Sequence, residues 1–157
     1  MERIASFCVD HTKLDRGMYL SRQDGDVLTW DIRMKRPNHG DYLSTGAAHT
    51  LEHLFATYAR NSAFQDSVIY VGPMGCRTGF YLVAFGELES ADVADLVRRM
   101  FAFIRDFEGE IPGAKPEECG NYHDNDLVQA KWWARRYMAN TLEVLDEAHT
   151  HYPALLD

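Results

Sequence analysis

Two histidines one helical turn apart, with a glutamate between them, mark the first place where this chain could do chemistry. The segment is His49-Thr50-Leu51-Glu52-His53. On a helix, residues four apart share a face, so His49 and His53 can bind a single ion. Glu52 is offset from both by about 60 to 100 degrees, from roughly 3.6 residues per turn, and can lean over the ion without being a ligand. A solvated polar face is the plainer alternative, but two imidazoles at this spacing around a carboxylate point to metal. Two cysteines extend the set. Cys119, in Pro116-Glu117-Glu118-Cys119-Gly120, follows a turn-rich stretch with Pro112 and Gly113. A thiolate binds zinc or iron strongly, and two imidazoles with one thiolate leave a fourth, catalytic position. Read alone, Cys119 could also be a small buried hydrophobe. Cys76 lies in Pro73-Met74-Gly75-Cys76-Arg77-Thr78-Gly79, whose glycines permit a tight turn and close approach of backbone to a ligand. Near Arg77 and a cation, its thiol would ionise more readily and act as a base or nucleophile at neutral pH. Cys76 could instead be a buried loop cysteine, or a fourth ligand closing a His2Cys2 site, which would make the metal structural.

The helix motif leaves other readings open. His-x-x-Glu-His is also the order of inverzincin metallopeptidases. There Glu52 would be the general base, and a carboxylate from Glu110, Glu117 or Glu118 would be the third ligand. That reading gives Cys76 and Cys119 no task. A closed His2Cys2 site would suit a metal-stapled interaction domain without catalysis.

The elements that must position these residues follow from periodicity. Leu28, Trp30, Ile32 and Met34 alternate with Thr29, Asp31 and Arg33, which predicts a half-buried strand over residues 27–34. Residues 79–85 are apolar enough for a central strand. Residues 67–71 and 4–9 are two further strand candidates, and Cys8, between Phe7 and Val9, is read as core. Helices are expected over about 47–60, after the cap candidates Ser44 and Thr45, over about 90–107, ended by Gly109, and over about 125–147. Leu51, Leu54, Phe55 and Tyr58 form the apolar stripe of the first. Strands concentrate early and helices follow, so an α+β fold is expected, with helices packed on a mainly antiparallel sheet.

With 157 residues there is room for one good core, so residues 1–157 are read as a single domain. The net charge of −8 argues against a nucleic-acid partner, which calls for a basic surface. No apolar run approaches the roughly 20 residues that span a bilayer, and no secretory signal opens the chain, so no membrane partner is expected. The 3 cysteines are odd in number and far apart, a poor disulfide framework but a reasonable set for a reducing compartment. A cytoplasmic protein is expected.

Taken together, several segments resemble the LuxS family of S-ribosylhomocysteine lyases. They are His49-Thr-Leu-Glu52-His53-Leu54, Gly72-Pro-Met-Gly-Cys76-Arg-Thr-Gly-Phe-Tyr81 and Glu118-Cys119-Gly120, with Ser6-Phe7, Asp10-His11, Asp31-Ile32-Arg33 and Pro37-Asn38. The match runs from Ser6 to the third helix. The resemblance implies a homodimer with two active sites at the subunit interface, each using residues of both chains. It implies one divalent metal per subunit, iron(II) natively and often zinc(II) as isolated. His49, His53 and Cys119 would be ligands, Cys76 and Glu52 the acid/base pair, and Ser6, His11, Arg33 and Arg60 would line the substrate site. Arg60 continues the His49, His53, Ala56 face, from which a guanidinium can reach a bound carboxylate. The implied reaction cleaves S-ribosylhomocysteine to homocysteine and 4,5-dihydroxypentane-2,3-dione, the autoinducer-2 precursor, which links methyl-cycle salvage to quorum sensing. Tyr70-Val71-Gly72 stands where some members carry an acidic residue, an apolar one and Ser, so contacts to the substrate's amino end are expected to differ. The tail around Trp132, Trp133 and residues 149–152 matches little in the family pattern.

Overall fold

The computed structural model describes residues 2–86, 88–153 and 155–156. Four strands, β1 (Gly17–Asp24), β2 (Val27–Arg33), β3 (Val68–Pro73) and β4 (Gly79–Phe85), form one antiparallel sheet in the order β1-β2-β4-β3. Gly25, at a φ of 60°, supplies the left-handed position that turns β1 into β2. Register sets the two faces. Leu28 lies opposite Ala84, Trp30 opposite Leu82 and Ile32 opposite Phe80, so these side chains share one face.

That face receives three helices, which follow a short helical turn, α1 (Ala5–Cys8), in chain order: α2 (Thr45–Arg60), α3 (Ser90–Asp106) and α4 (Leu127–Asn140). Phe55 of α2 meets Phe80 edge-on at 4.9 Å and Phe101 of α3 at 4.7 Å, and Phe101 in turn meets Tyr137 of α4 at 4.8 Å. The chain of rings ties every long helix to the sheet, and such edge-to-face pairs add to the burial of area that drives packing. The α+β expectation therefore holds. α2 begins at Thr45, two residues before the expected start, because Ser44 accepts from the Ala47 N–H at 3.2 Å and caps it.

Three expectations for the elements change. Residues 4–9 are not a strand. Ala5–Cys8 make a single helical turn, Val9 joins only an isolated bridge to Leu155, and Cys8 is half-buried rather than core. The strand at the sheet's edge is β1 instead. Its period-2 signal is broken by a register shift between Leu20 and Arg22, and its second half is largely exposed. The last helix stops at Asn140, not near residue 147, because Thr141 leaves helical geometry at φ −140°; two 3-10 turns, Leu142–Val144 and Glu147–His149, follow. Among the described residues no helix is long and apolar enough to cross a membrane.

Candidate metal centre and adjoining cavity

The first turns of α2 carry His49 and His53 toward one point. Their Nε2 atoms lie 3.0 Å apart, and Cys119 Sγ lies 3.4 Å from His49 Nε2. The geometry around them decides the protonation. His49 Nδ1 is 2.8 Å from the Asp124 carbonyl and His53 Nδ1 is 2.6 Å from the Pro112 carbonyl. A carbonyl only accepts, so each Nδ1 carries the proton and each Nε2 presents a lone pair. Two imidazole lone pairs and a sulfur facing one another at these distances form an arrangement that a cation among them would stabilise. The donor set thus fits a metal, and His49, His53 and Cys119 could hold one, their ligand atoms lying within 4.8 Å of one another.

Loops bring those carbonyls in. Gly113 has a φ of 74°, and a Cβ there would meet His53 Nδ1 at 2.8 Å, so only glycine lets this backbone approach the ring. Cys119 ends a turn in which its N–H donates to the Lys115 carbonyl at 2.9 Å. Buried Thr50 donates to Asn125 Oδ1 at 3.0 Å and accepts from the Asp126 N–H at 2.9 Å, fastening the loop that carries Asp124 to α2. Thr50, Pro112, Gly113 and Asp124 were not singled out in the sequence. Only the proline–glycine pair gave a local signal, that of a turn.

Glu52 Oε2 stands 3.8 Å from His53 Nε2. Glu52 and His49 border a hollow of about 290 Å³ whose far wall is Met74, Gly75 and Arg77. Cys76 is exposed and is not among the clustered ligand atoms. Its sulfur lies 3.0 Å from Thr78 Oγ1, and Arg33 Nη1 approaches it at 3.9 Å. The closed His2Cys2 site is therefore not formed within one chain. Among the described residues no carboxylate from Glu110, Glu117 or Glu118 joins the cluster either. The turn holding Cys76 is tight. The Arg77 N–H donates to the Met74 carbonyl at 2.9 Å, and Arg77 itself sits at a φ of 58°, a left-handed conformation that costs roughly 1–2 kcal/mol for a non-glycine residue.

Cys76 opens onto a second, larger cavity of about 440 Å³, which Ser6, His11, Arg33, Tyr81 and Tyr152 also line. This is the sheet face opposite the helices, where a half-buried strand had been expected. Asp31 and Arg33 are nearly inaccessible there, their side chains 0% and 4% exposed. Arg33 Nη2 donates to Asp31 Oδ2 at 2.6 Å and Nη1 to Thr78 Oγ1 at 2.6 Å. Its cross-strand neighbours are Gly17 and Gly79, and the Tyr19 ring fills the space that a side chain at Gly17 would take. Burial pushes the Asp31 carboxyl above the usual carboxylate range, and Arg33 and then the Tyr152 hydroxyl pull against that shift. His11 Nδ1 lies 2.8 Å from the Val9 carbonyl, which leaves its other nitrogen for a ligand. Arg60 stands apart. Its Nη2 donates to the Ile69 carbonyl at 2.7 Å on the exposed end of α2, and it lines neither hollow.

The comparisons with known proteins agree with one another. The model of the S-ribosylhomocysteinase (LuxS) family matches residues 4–148. A protein of Phocaeicola vulgatus named S-ribosylhomocysteine lyase is 49% identical over 98% of this chain and 98% of its own. Relatives of the same name from Desulfotalea psychrophila and Clostridium acetobutylicum are each 47% identical, over 98% of this chain and 100% and 99% of theirs. Matches of this length leave no element of the fold outside the likeness, and the chain belongs to the S-ribosylhomocysteinase (LuxS) family.

Proposed function

We propose that this chain cleaves the thioether of S-ribosylhomocysteine, with His49, His53 and Cys119 as metal ligands and Cys76 and Glu52 as the acid/base pair. The observation that carries the reading is the pairing of Nδ1–H groups with backbone carbonyls, which leaves two Nε2 lone pairs and one sulfur converging on a point.

The chemistry explains the residue types. A thioether leaves only when a carbanion forms on the neighbouring carbon, and that proton is acidic only beside a carbonyl. The substrate's carbonyl starts at C1, so it must move to C2 and then C3 before the C4 proton can depart. Each shift passes through an enediolate, and oxidation at one carbon is matched by reduction at its neighbour, so no redox cofactor is needed. One divalent metal, iron(II) natively or zinc(II) as isolated, would supply a Lewis acid for the negative charge on the sugar oxygens. The remaining work belongs to the chain's own groups. Cys76 Sγ and Glu52 Oε2 take protons from carbon and oxygen and return them one position along. In the last step the C4 proton leaves to a base, the C5–S electron pair departs with sulfur, and homocysteine takes up a proton. The second product is 4,5-dihydroxypentane-2,3-dione, the autoinducer-2 precursor. Ser6, His11 and Arg33 would bind the substrate from the larger cavity, and Arg60, which lines neither hollow, is left out of that set.

The division of these residues supports a homodimer. Ser6, His11, Arg33 and Cys76 line the larger cavity, whereas His49 and Glu52 border the smaller hollow across the Met74–Gly75 turn. A second chain whose cavity faced the first chain's ligands would complete both sites. Phe7, 66% exposed at the cavity's rim, is a large apolar side chain suited to such an interface.

The test is to incubate anaerobically purified, iron-loaded protein with S-ribosylhomocysteine and titrate released homocysteine thiol. One equivalent of thiol per substrate consumed is expected. Loaded protein that releases none overturns the reading.

A further inference from the structure

We infer that Thr78 and the tail residue Tyr152 are positioning residues for Cys76, joined to it by one chain of hydrogen bonds across the sheet face. The inference rests on the acid/base role proposed for Cys76 and adds two residues that this role did not include.

The chain reads from the tail inward. The Tyr152 hydroxyl donates to Asp31 Oδ2 at 2.8 Å. Arg33 Nη2 donates to the same oxygen at 2.6 Å, and Nη1 donates to Thr78 Oγ1 at 2.6 Å. Thr78 Oγ1 then lies 3.0 Å from Cys76 Sγ. A hydroxyl has one proton and two lone pairs. Arg33 has no acceptor, so it occupies a lone pair of Thr78, and the threonine proton remains free for the sulfur. That donor is what a thiolate needs, and a guanidinium on the oxygen polarises the O–H toward it.

Tyr152 acts at the far end. Asp31 is fully buried, and its other oxygen, Oδ1, has no hydrogen-bond partner among the described residues. Its charge therefore falls on Arg33 and Tyr152 through Oδ2. Without the tyrosine hydroxyl, the carboxylate would draw harder on the guanidinium and leave less of it for Thr78 and the sulfur. The tail is built to hold this contact. The Tyr152 ring stacks on Tyr19 at 4.9 Å, and the Leu156 N–H donates to the Cys8 carbonyl at 2.6 Å. Among the described residues, the charged and titratable groups around the sulfur are Arg33 and Asp31 from β2, Tyr81 from β4, His11 from the N-terminal segment, Tyr42 from the segment before α2 and Tyr152, with Arg77 beside it in its own loop turned to the Leu43 carbonyl.

The experiment is the pH dependence of Cys76 alkylation by iodoacetamide in the metal-loaded protein, read at that residue by peptide mass spectrometry. Thr78→Val is expected to raise the pH midpoint by about one unit, slowing alkylation at neutral pH about tenfold. Thr78→Ser is expected to restore the parent's profile. Tyr152→Phe keeps the ring and is expected to shift the midpoint in the same direction with a rate loss of about two- to threefold at unchanged metal content. An unshifted or lowered midpoint in folded Thr78→Val, or in Tyr152→Phe, overturns the inference, as does Thr78→Ser behaving like valine. Should the valine variant fail to fold, the serine and phenylalanine variants still decide. No substrate is involved, so this result and the homocysteine assay fail independently.

Discussion

His49 and His53 are oriented by main-chain carbonyls of loops more than fifty residues downstream, whereas Arg33 and Cys76 are oriented by side chains reaching across a sheet. In the first region each imidazole proton goes to a backbone oxygen, that of Asp124 or Pro112, which no substitution removes directly. Change enters there only through what lets the backbone come close, as at Gly113. In the second region the polar contacts pass through Asp31, Thr78 and Tyr152, each of which one mutation can delete. The difference teaches where each half is fragile. The ligand set should respond chiefly to loss of a ligand or of loop shape, and the cavity wall to loss of any member of a buried network.

The contrast can be broken most directly at the ligands. His49→Ala or Cys119→Ala is expected to abolish both metal binding, read by elemental analysis, and homocysteine release; a variant that keeps its metal would remove that residue from the ligand set. Cys76→Ala and Glu52→Ala should retain metal and lose about 10²–10⁴-fold in turnover, the usual contribution of an acid/base group. Metal content below half in Cys76→Ala would instead join the two regions through a fourth ligand. Arg33→Met leaves Asp31 buried without its cation and should cost about 3–5 kcal/mol in chemical denaturation. Its metal content below the unfolding transition should stay that of the parent, and a loss there would show that the two regions are one unit. Gly113→Ala is the mildest test. It forces a Cβ against His53 and should weaken metal affinity by about 10- to 100-fold, read by chelator competition, while the Cys76 alkylation profile stays where it was.

Much of the site was legible because it is local. His49, Glu52 and His53 follow from helical spacing, and the Ser44 cap and the stripe of Leu51, Leu54 and Phe55 place that spacing on a packed helix. The alternation from Leu28 to Arg33 correctly divided β2 between two faces. It did not show that the polar face is also covered, since Tyr152 lies 121 residues from Asp31. β1 was missed for a related reason: a strand buried only over its first residues, exposed over its second half and interrupted by a bulge has no hydrophobic period to read.

Residue order alone determined which groups could bind a metal, because imidazoles four apart on a capped helix share a face whatever surrounds them. It also determined the α+β class, through apolar periods of two and 3.6. Tertiary structure decided which nitrogen of each ring carries a proton, which cysteine joins the histidines and which stands apart, and that the tail reaches the cavity. Those outcomes depend on contacts between segments far apart in the chain, and such contacts leave no mark in local spacing because they form only when the helices and loops have packed on the sheet.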